Sequence, residues 1–304
     1  MRSRRPATRA TQRVSIPSGT PSGVYLFRAA SDHASAKVPI AVQGSGRQPV
    51  LVVLPVMTWQ GRNPVDDDGD GLPNLLGHGD AVPVRRFYAG MPATFASVTE
   101  PLLTWLEATG KRYDLTTDVA LARGQGVGLE GHRGVLLAGD TRWLPAGVQR
   151  ALRRYVHNAG RVATVGVDNL RRLVTLQDGG QVLAAPTPPA SFDALGLRPA
   201  PLVRGDITLT NAKDEAGLFR GTAGEFTGLT AAEPLAGVRG GTVVSSAVTP
   251  DGRTVIAAVR TGDGLTIHLG LPQLTSRLGG GRGLNTPDPQ AAGLLESTWT
   301  LLSR

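Results

Sequence analysis

The sequence predicts an α/β protein: a parallel sheet with helices on both faces, preceded by a β-hairpin and followed by a β-rich region. Three observations carry this reading. Pro49 to Val56 is an unbroken apolar run, as expected of a strand buried on both faces. From there to residue 165, short apolar runs alternate with amphipathic segments, the pattern of strands joined by crossover helices. The chain has 304 residues, 40% of them hydrophobic, enough for a sizeable core at roughly 150 residues per domain.

Residues 1–20 are rich in Arg, Ser, Thr and Pro and read as a disordered basic arm. Most of the net charge of +8 sits there, because Arg2, Arg4, Arg5, Arg9 and Arg13 precede the first acidic residue. Lys occurs only at Lys37, Lys111 and Lys213. That Arg bias, with abundant Ala, Gly and Pro, fits GC-rich coding; the alternative is a phosphate- or anionic-membrane-binding tail. No apolar segment of roughly 7–15 residues follows the arm, so no signal peptide is read. Val24 to Arg28 and Val38 to Val42 read as two strands turning at Ser31-Asp32-His33. Two strands alone are marginal in water. Residues 21–46 are therefore expected to be the last hairpin of a preceding β-sandwich, docked on an α/β domain spanning 47–304.

Within that domain, Leu51 to Val56 is the first strand. Ser97-Val98-Thr99-Glu100 fits a capping box and Gly110 a helix stop. Tyr113 to Thr116, Gly134 to Ala138 and Val162 to Val165 are the next strands. Between the last two, Pro145 suits a first helical turn, and Val148, Leu152, Tyr155 and Val156 share one face before Asn158-Ala159-Gly160. Residues 175–285 read as a β-rich extension. It has a connector at Ala185 to Pro201 and strands at Thr242 to Val248, Thr254 to Arg260 and Leu265 to Leu269, the last two joined by Gly262-Asp263-Gly264. A Gly-rich loop from Ser276 leads to Asp288, which caps a final helix over 288–303 with Leu295, Trp299 and Leu302 on one face.

Several chemistries are excluded. The chain has no cysteine, hence no disulfide, thiolate metal site or cysteine nucleophile. No apolar stretch approaches the roughly 18 residues of a membrane span. Aromatics are 5% of the chain, too few for an extended stacking surface, so no nucleic-acid partner is expected. His78, His132, His157 and His268 show no ligand spacing, and no G-x-S-x-G elbow is present.

Ligands of an open parallel sheet bind beyond the carboxyl ends of its strands. Here those ends are Thr58-Trp59-Gln60-Gly61-Arg62-Asn63, Asp140-Thr141-Arg142-Trp143 and Gly166-Val167-Asp168-Asn169. A plain alternative is that they cap the following helices. Arg62, Asp140, Arg142 and Asp168 are the candidates to line a site.

These stretches resemble a family, the C-terminal domain of the N,N-dimethylformamidase large (beta) subunit. That family has Thr-Trp-Gln-Ala-Tyr-Asn after its first strand and His-x-Glu-Tyr-Trp after a later one, followed by an amphipathic helix, Gly-Gly and a strand ending in Asn. Pro21-Ser22-Gly23-Val24-Tyr25 resembles the end of the family's β-sandwich. The resemblance implies a flavodoxin-like fold similar to class I glutamine amidotransferases. It also implies an amidase with one iron held by two Tyr and one Glu. Here the motif Tyr falls on Arg62, the Glu on Thr141 and the His on Gly139; Tyr25 is a candidate match for the second Tyr. A guanidinium is always protonated and does not ligate iron. The expectation is a dimethylformamidase-like domain without iron that acts as a binding or structural module with an unknown small-molecule ligand. The alternative is a divergent hydrolase of small amides or related C–N bonds.

One motif lies outside the resemblance. Asp66-Asp67-Asp68-Gly69-Asp70-Gly71 matches the start of a calcium loop. Asp66, Asp68 and Asp70 occupy positions 1, 3 and 5, Leu72 offers a carbonyl at 7, and Asn74 stands at 9. Position 12 is Gly77 rather than a bidentate Glu. Calcium is one way to relieve repulsion among four carboxylates; neutralisation by Arg62, Arg85 and Arg86 is the other. A weak site suits millimolar extracellular calcium, which leans the localisation extracytoplasmic.

Overall fold

The computed structural model describes residues 15–30, 35–44, 46–279 and 286–304. The arm through Arg13, the expected turn at Ser31-Asp32-His33 and the centre of the 276–288 loop lie outside the described residues. An 11-stranded mixed sheet organises the chain. Five strands run parallel: Val50–Leu54, Asp114–Thr117, Gly134–Ala138, Arg161–Val165 and Gly264–Leu269. Across the sheet these five stand in chain order 2-1-3-4-5, with 114–117 at the outer edge.

The sheet is mixed, which corrects the expectation of a parallel sheet with an appended β-rich region. The 264–269 strand pairs in parallel with 161–165. Thr254–Thr261, Thr242–Val248, Val203–Asp214 and Glu225–Ala232 then continue the same sheet antiparallel. The physical reason is the second edge of 161–165. Val162, Ala163, Thr164 and Val165 are fully buried, and buried N–H and C=O groups need partners.

Alternation along the strands sends neighbouring side chains to opposite faces. Val50, Val52 and Leu54 pack with helices α2 (Glu100–Ala108) and α5 (Pro289–Ser303) through Leu102, Leu106 and Leu295. Leu51 and Val53 pack with α1 (Val56–Gly61), α3 (Asp118–Arg123) and α4 (Ala146–His157) through Met57, Val119 and Leu152. α5 starts as expected, with the Asp288 carboxylate accepting from the Gln290 and Ala291 amides. α2 does not. Thr99 is itself helical, at φ −73 and ψ −48, and continues a π-helical turn over Phe95–Thr99. Ser97, the expected cap, therefore lies inside helical backbone and does not cap α2, while the Thr99 hydroxyl donates to the Ala138 carbonyl at 2.8 Å.

The hairpin of Gly23–Ala30 and Ser35–Val42 docks by its root rather than by a whole face. The Leu115 amide donates to Ser22 Oγ at 3.1 Å, and the Gly44 amide donates to the Leu115 carbonyl at 3.0 Å. These bonds cover the outer edge strand of the sheet. Val24 and Ala41 pack on the core, while Tyr25 and Leu26 stay exposed.

Candidate functional site

The site forms where the 50–54, 134–138 and 161–165 strands end. α1 begins at once after the first of these, so the Thr58 to Asn63 stretch is helix and its closing turn. Most of its side chains hold the frame. Thr58 Oγ1 accepts from the Arg142 amide at 3.0 Å, joining the first strand's end to the third's. Trp59 packs edge-on against Phe95 at 5.5 Å. Gln60 Nε2 donates to the Arg86 carbonyl, and Asn63 bonds to the Phe87 carbonyl and Ala89 amide. A Cβ on Gly61 would stand 2.5 Å from Leu76 Cδ1, so only glycine lets the 75–79 segment close over the helix. Arg62 alone is left to face a cleft.

The other two strand ends are laced together. Asp140 Oδ1 accepts from the Val167 amide at 3.0 Å, and Asn169 Oδ1 from the Thr141 amide at 2.6 Å. A Cβ on Gly166 would fall 2.5 Å from Asp140 Oδ1. Asp168 and Leu170 both carry left-handed backbone, at φ +56 and +58, a conformation that costs on the order of 1–3 kcal/mol per non-glycine residue. The Asp168 amide is fastened to Glu233 Oε1 at 2.8 Å.

The result is a cluster rich in guanidinium groups. Arg62 lies 3.8 Å from Asp140. Asp168 faces Arg142 at 3.6 Å, Arg171 at 3.8 Å and Arg172 in direct contact. Burial, and then the neighbouring Arg142 charge, hold the Arg62 pKa below its ordinary value. Burial pushes the Asp140 carboxyl up, against the pull of the Val167 amide and both arginines. Burial likewise pushes the Glu233 carboxyl up to about 7.

Arg62 and Arg142, with Arg172, Trp143 and His78, line a cleft of about 740 Å³ whose far wall is Pro186 to Pro189. Asp140 and Asp168 stand behind the arginines as counter-ions, outside the lining. Arg171, Arg172 and Glu233 escaped the sequence reading. The two arginines follow Asp168 at helical spacing, a signal that was available. Glu233 is far away in sequence and only the sheet brings it here.

The acidic loop leads directly into the Leu75 to Gly79 stretch that lines this cleft. Carboxylate oxygens of Asp66, Asp68 and Asp70 lie within 4.8 Å of one another. Asp66 is buried and accepts from the Gly69 and Gly71 amides at 2.6 and 3.0 Å. The Leu72 amide donates to Asp70 Oδ1. Asn74 spends its side chain inside the loop: Oδ1 accepts from the Asp67 amide, and Nδ2 donates to Asp68 Oδ2. Those bonds hold the exposed Asp68 carboxyl below its ordinary range, the Asn74 contribution being largest. Of the three candidate arginines, Arg86 pairs with Asp67 at 2.5 Å, Arg62 turns to Asp140, and Arg85 is exposed.

A family model for the N,N-dimethylformamidase beta subunit-like C-terminal domain matches residues 9–185. The chain belongs to this family. A search of curated proteins finds no match. Among solved structures, a β-galactosidase from Rahnella sp. R3 is similar at a TM-score of 0.49 and 11% identity, covering 84% of this chain and 31% of its own. A β-galactosidase from Bacillus circulans gives 0.44 and 11%, covering 82% and 30%. The chain thus spans about a third of these enzymes' length. A cytoplasmic protein from Salmonella typhimurium gives 0.46 and 12%, covering 84% and 99%. Likenesses this weak carry no argument about fold detail or function.

Membership in the dimethylformamidase-like family raises its iron, and the residues here do not fit it. Arg62 brings a positive charge to the motif Tyr position. Thr141, at the Glu position, is fully buried with its hydroxyl donating to the Gly139 carbonyl at 3.2 Å. Tyr25 is at the opposite, amino end of the strands, beside Asp114 and Lys111, with its hydroxyl donating to the Pro21 carbonyl. A half-buried phenol, Tyr88, bonds with Gln60, and desolvation raises it well above the usual range.

Proposed function

We propose that this dimethylformamidase-like domain is a binding module for a small molecule rather than an iron amidase. One observation carries the reading: Arg62 and Thr141 occupy the motif positions, and Arg142, Arg171 and Arg172 surround them. The frame is read as flavodoxin-like. The 2-1-3-4-5 order of the parallel strands and the helices on both faces support this. A β-sandwich partner against the 21–46 hairpin is proposed on the family resemblance alone.

The 66–74 loop is proposed to take calcium, which would hold the 75–79 wall of the cleft. Three converging carboxylates support it, and weak affinity, Kd on the order of 10⁻⁴ to 10⁻³ M, follows from Gly77 at position 12. Such a site fills outside the cytosol, and an extracytoplasmic home is proposed with it. Among the described residues no helix is long and apolar enough to cross a membrane.

A second reading, hydrolysis of small amides or related C–N bonds, is favoured by Asp140 and Glu233. Burial raises both carboxyls, Glu233 to about 7, the direction that general acid–base work needs. Elemental analysis of the purified protein and an amidase screen decide between these. The module reading expects no stoichiometric iron and no hydrolysis of dimethylformamide. Stoichiometric iron with activity that chelation removes overturns it, and turnover without metal transfers the case to the hydrolase.

A further inference from the structure

We propose that the arginine-lined cleft binds a small organic anion, its carboxylate or phosphate held by Arg62, Arg142 and Arg172 and its apolar body lying against Trp143 and Pro186 to Pro189. This deepens the binding-module reading and rests on it.

Charge is the first ground. Four guanidinium groups meet the two carboxylates Asp140 and Asp168. Glu233, behind Asp168, carries less than a full negative charge near neutral pH, because burial pushes its carboxyl up to about 7. The Arg142 charge adds to the cost of ionising Arg62, and Asp140 at 3.8 Å relieves it only in part. An oxyanion between them removes that repulsion, and guanidinium forks match carboxylate and phosphate geometry.

Unspent donors are the second ground. Arg142 Nε is buried and has no hydrogen-bond partner, although its guanidinium leans on Asp168. The indole N–H of Trp143, on the same wall, is likewise buried and unpartnered. Buried donors without acceptors are uncommon and call for an explanation.

Rigidity and size are the third. The Arg142 amide is tied to Thr58, and the Arg172 amide to the Arg142 carbonyl at 3.1 Å. Trp143–Leu144 then pairs in parallel with Arg172–Leu173, and the Arg172 guanidinium sits 6.0 Å from the Trp143 ring centroid. The arginines are thus placed before any ligand arrives, which lowers the entropic cost of binding. A volume of about 740 Å³ lies within the range of small-molecule sites. The proline wall and Trp143 offer an apolar surface that inorganic ions alone do not use.

The test is a thermal-shift and calorimetric titration with benzoate, inorganic phosphate, phenyl phosphate and the neutral isostere benzamide. Benzoate or phenyl phosphate is expected to raise the melting temperature at millimolar concentration while benzamide does not. Whichever responds names the anionic group. Arg62→Gln and Arg172→Gln are expected to weaken binding about tenfold, with unchanged far-UV spectra. Arg150→Gln, exposed on α4, is the control. No shift with any of the three anions overturns the proposal. So does an equal response to benzamide, affinity unaltered in both arginine variants, or a response to inorganic phosphate alone, which leaves the apolar wall unused. Iron content, measured separately, tests the module reading: a metal-free protein that ignores these anions loses only this inference.

Discussion

Replacing Arg86 by Met is expected to destabilise the protein by about 3–4 kcal/mol. The guanidinium is almost wholly buried, at 4% exposure. Its Nη2 donates to three backbone carbonyls, Gln60 at 2.6 Å, Asn63 at 2.9 Å and Asn74 at 3.1 Å, while Nη1 pairs with Asp67 at 2.5 Å. One side chain thus ties the end of α1 to both ends of the acidic loop. Hydrogen bonds to a charged group contribute about 1.5–3 kcal/mol each. Three of them exceed the expected loss because Met also relieves the desolvation that already holds the Arg86 pKa below its ordinary value. Breaking a buried ion pair costs about 3–5 kcal/mol, and the partial exposure of Asp67 places the value near the lower end. Lys keeps the charge but lacks the fork, so Arg86→Lys recovers less than half of the loss. Denaturant unfolding followed by circular dichroism measures the difference, and limited proteolysis reads whether residues 63–75 become cleavable. A Met variant within about 1 kcal/mol of the parent, or a Lys variant equal to it, refutes the clamp.

Other outcomes follow from the same geometry. Asp118 is fully buried at the starts of α1 and α3, and burial pushes its carboxyl up to about 8 despite bonds from the Met57 and Val119 amides. Its folded value exceeds its unfolded one, so its stability contribution is complete below about pH 4 and is lost as pH rises through 8; Asp118→Asn is expected to flatten melting temperature against pH across that window. Gly61→Ala drives a methyl against Leu76 and is expected to cost about 1–3 kcal/mol and to weaken anion binding, measured by melting and calorimetry. Millimolar calcium is expected to raise the parent's stability by about 1–2 kcal/mol and Asp68→Ala's hardly at all; equal shifts in the two proteins remove the calcium site. Deleting residues 15–44 strips the cover from the 114–117 edge and is expected to lower the melting temperature and promote aggregation, read by light scattering.

The sequence by itself determined the elements whose patterns are long or singular. The 50–54, 134–138 and 161–165 strands are apolar runs that nothing but a doubly covered sheet can bury. α4 and α5 carry enough turns for a periodic face, and Asp288-Pro289 marks a start. The family resemblance, too, was legible in contiguous motifs. Six-residue helices were not: α1 and α3 have under two turns, too few for a period to show. Tertiary structure decided whatever depends on distant partners. Ser97 does not cap α2 because a π-helical turn over Phe95–Thr99 already runs through it. The 264–269 strand becomes the fifth parallel strand because 161–165 has an open, buried edge beside it. The motif side chains Thr58, Gln60 and Asn63 serve the frame, since the Arg142 amide, the Arg86 carbonyl and the Ala89 amide come to them only in the fold. Asp140 and Asp168 stand behind Arg62 and Arg142 rather than beside them in the cleft. A buried carboxylate needs donors to offset its desolvation, and which residues supply them, the Val167 amide for Asp140 and three arginines for Asp168, is settled only by the packing of three strand ends.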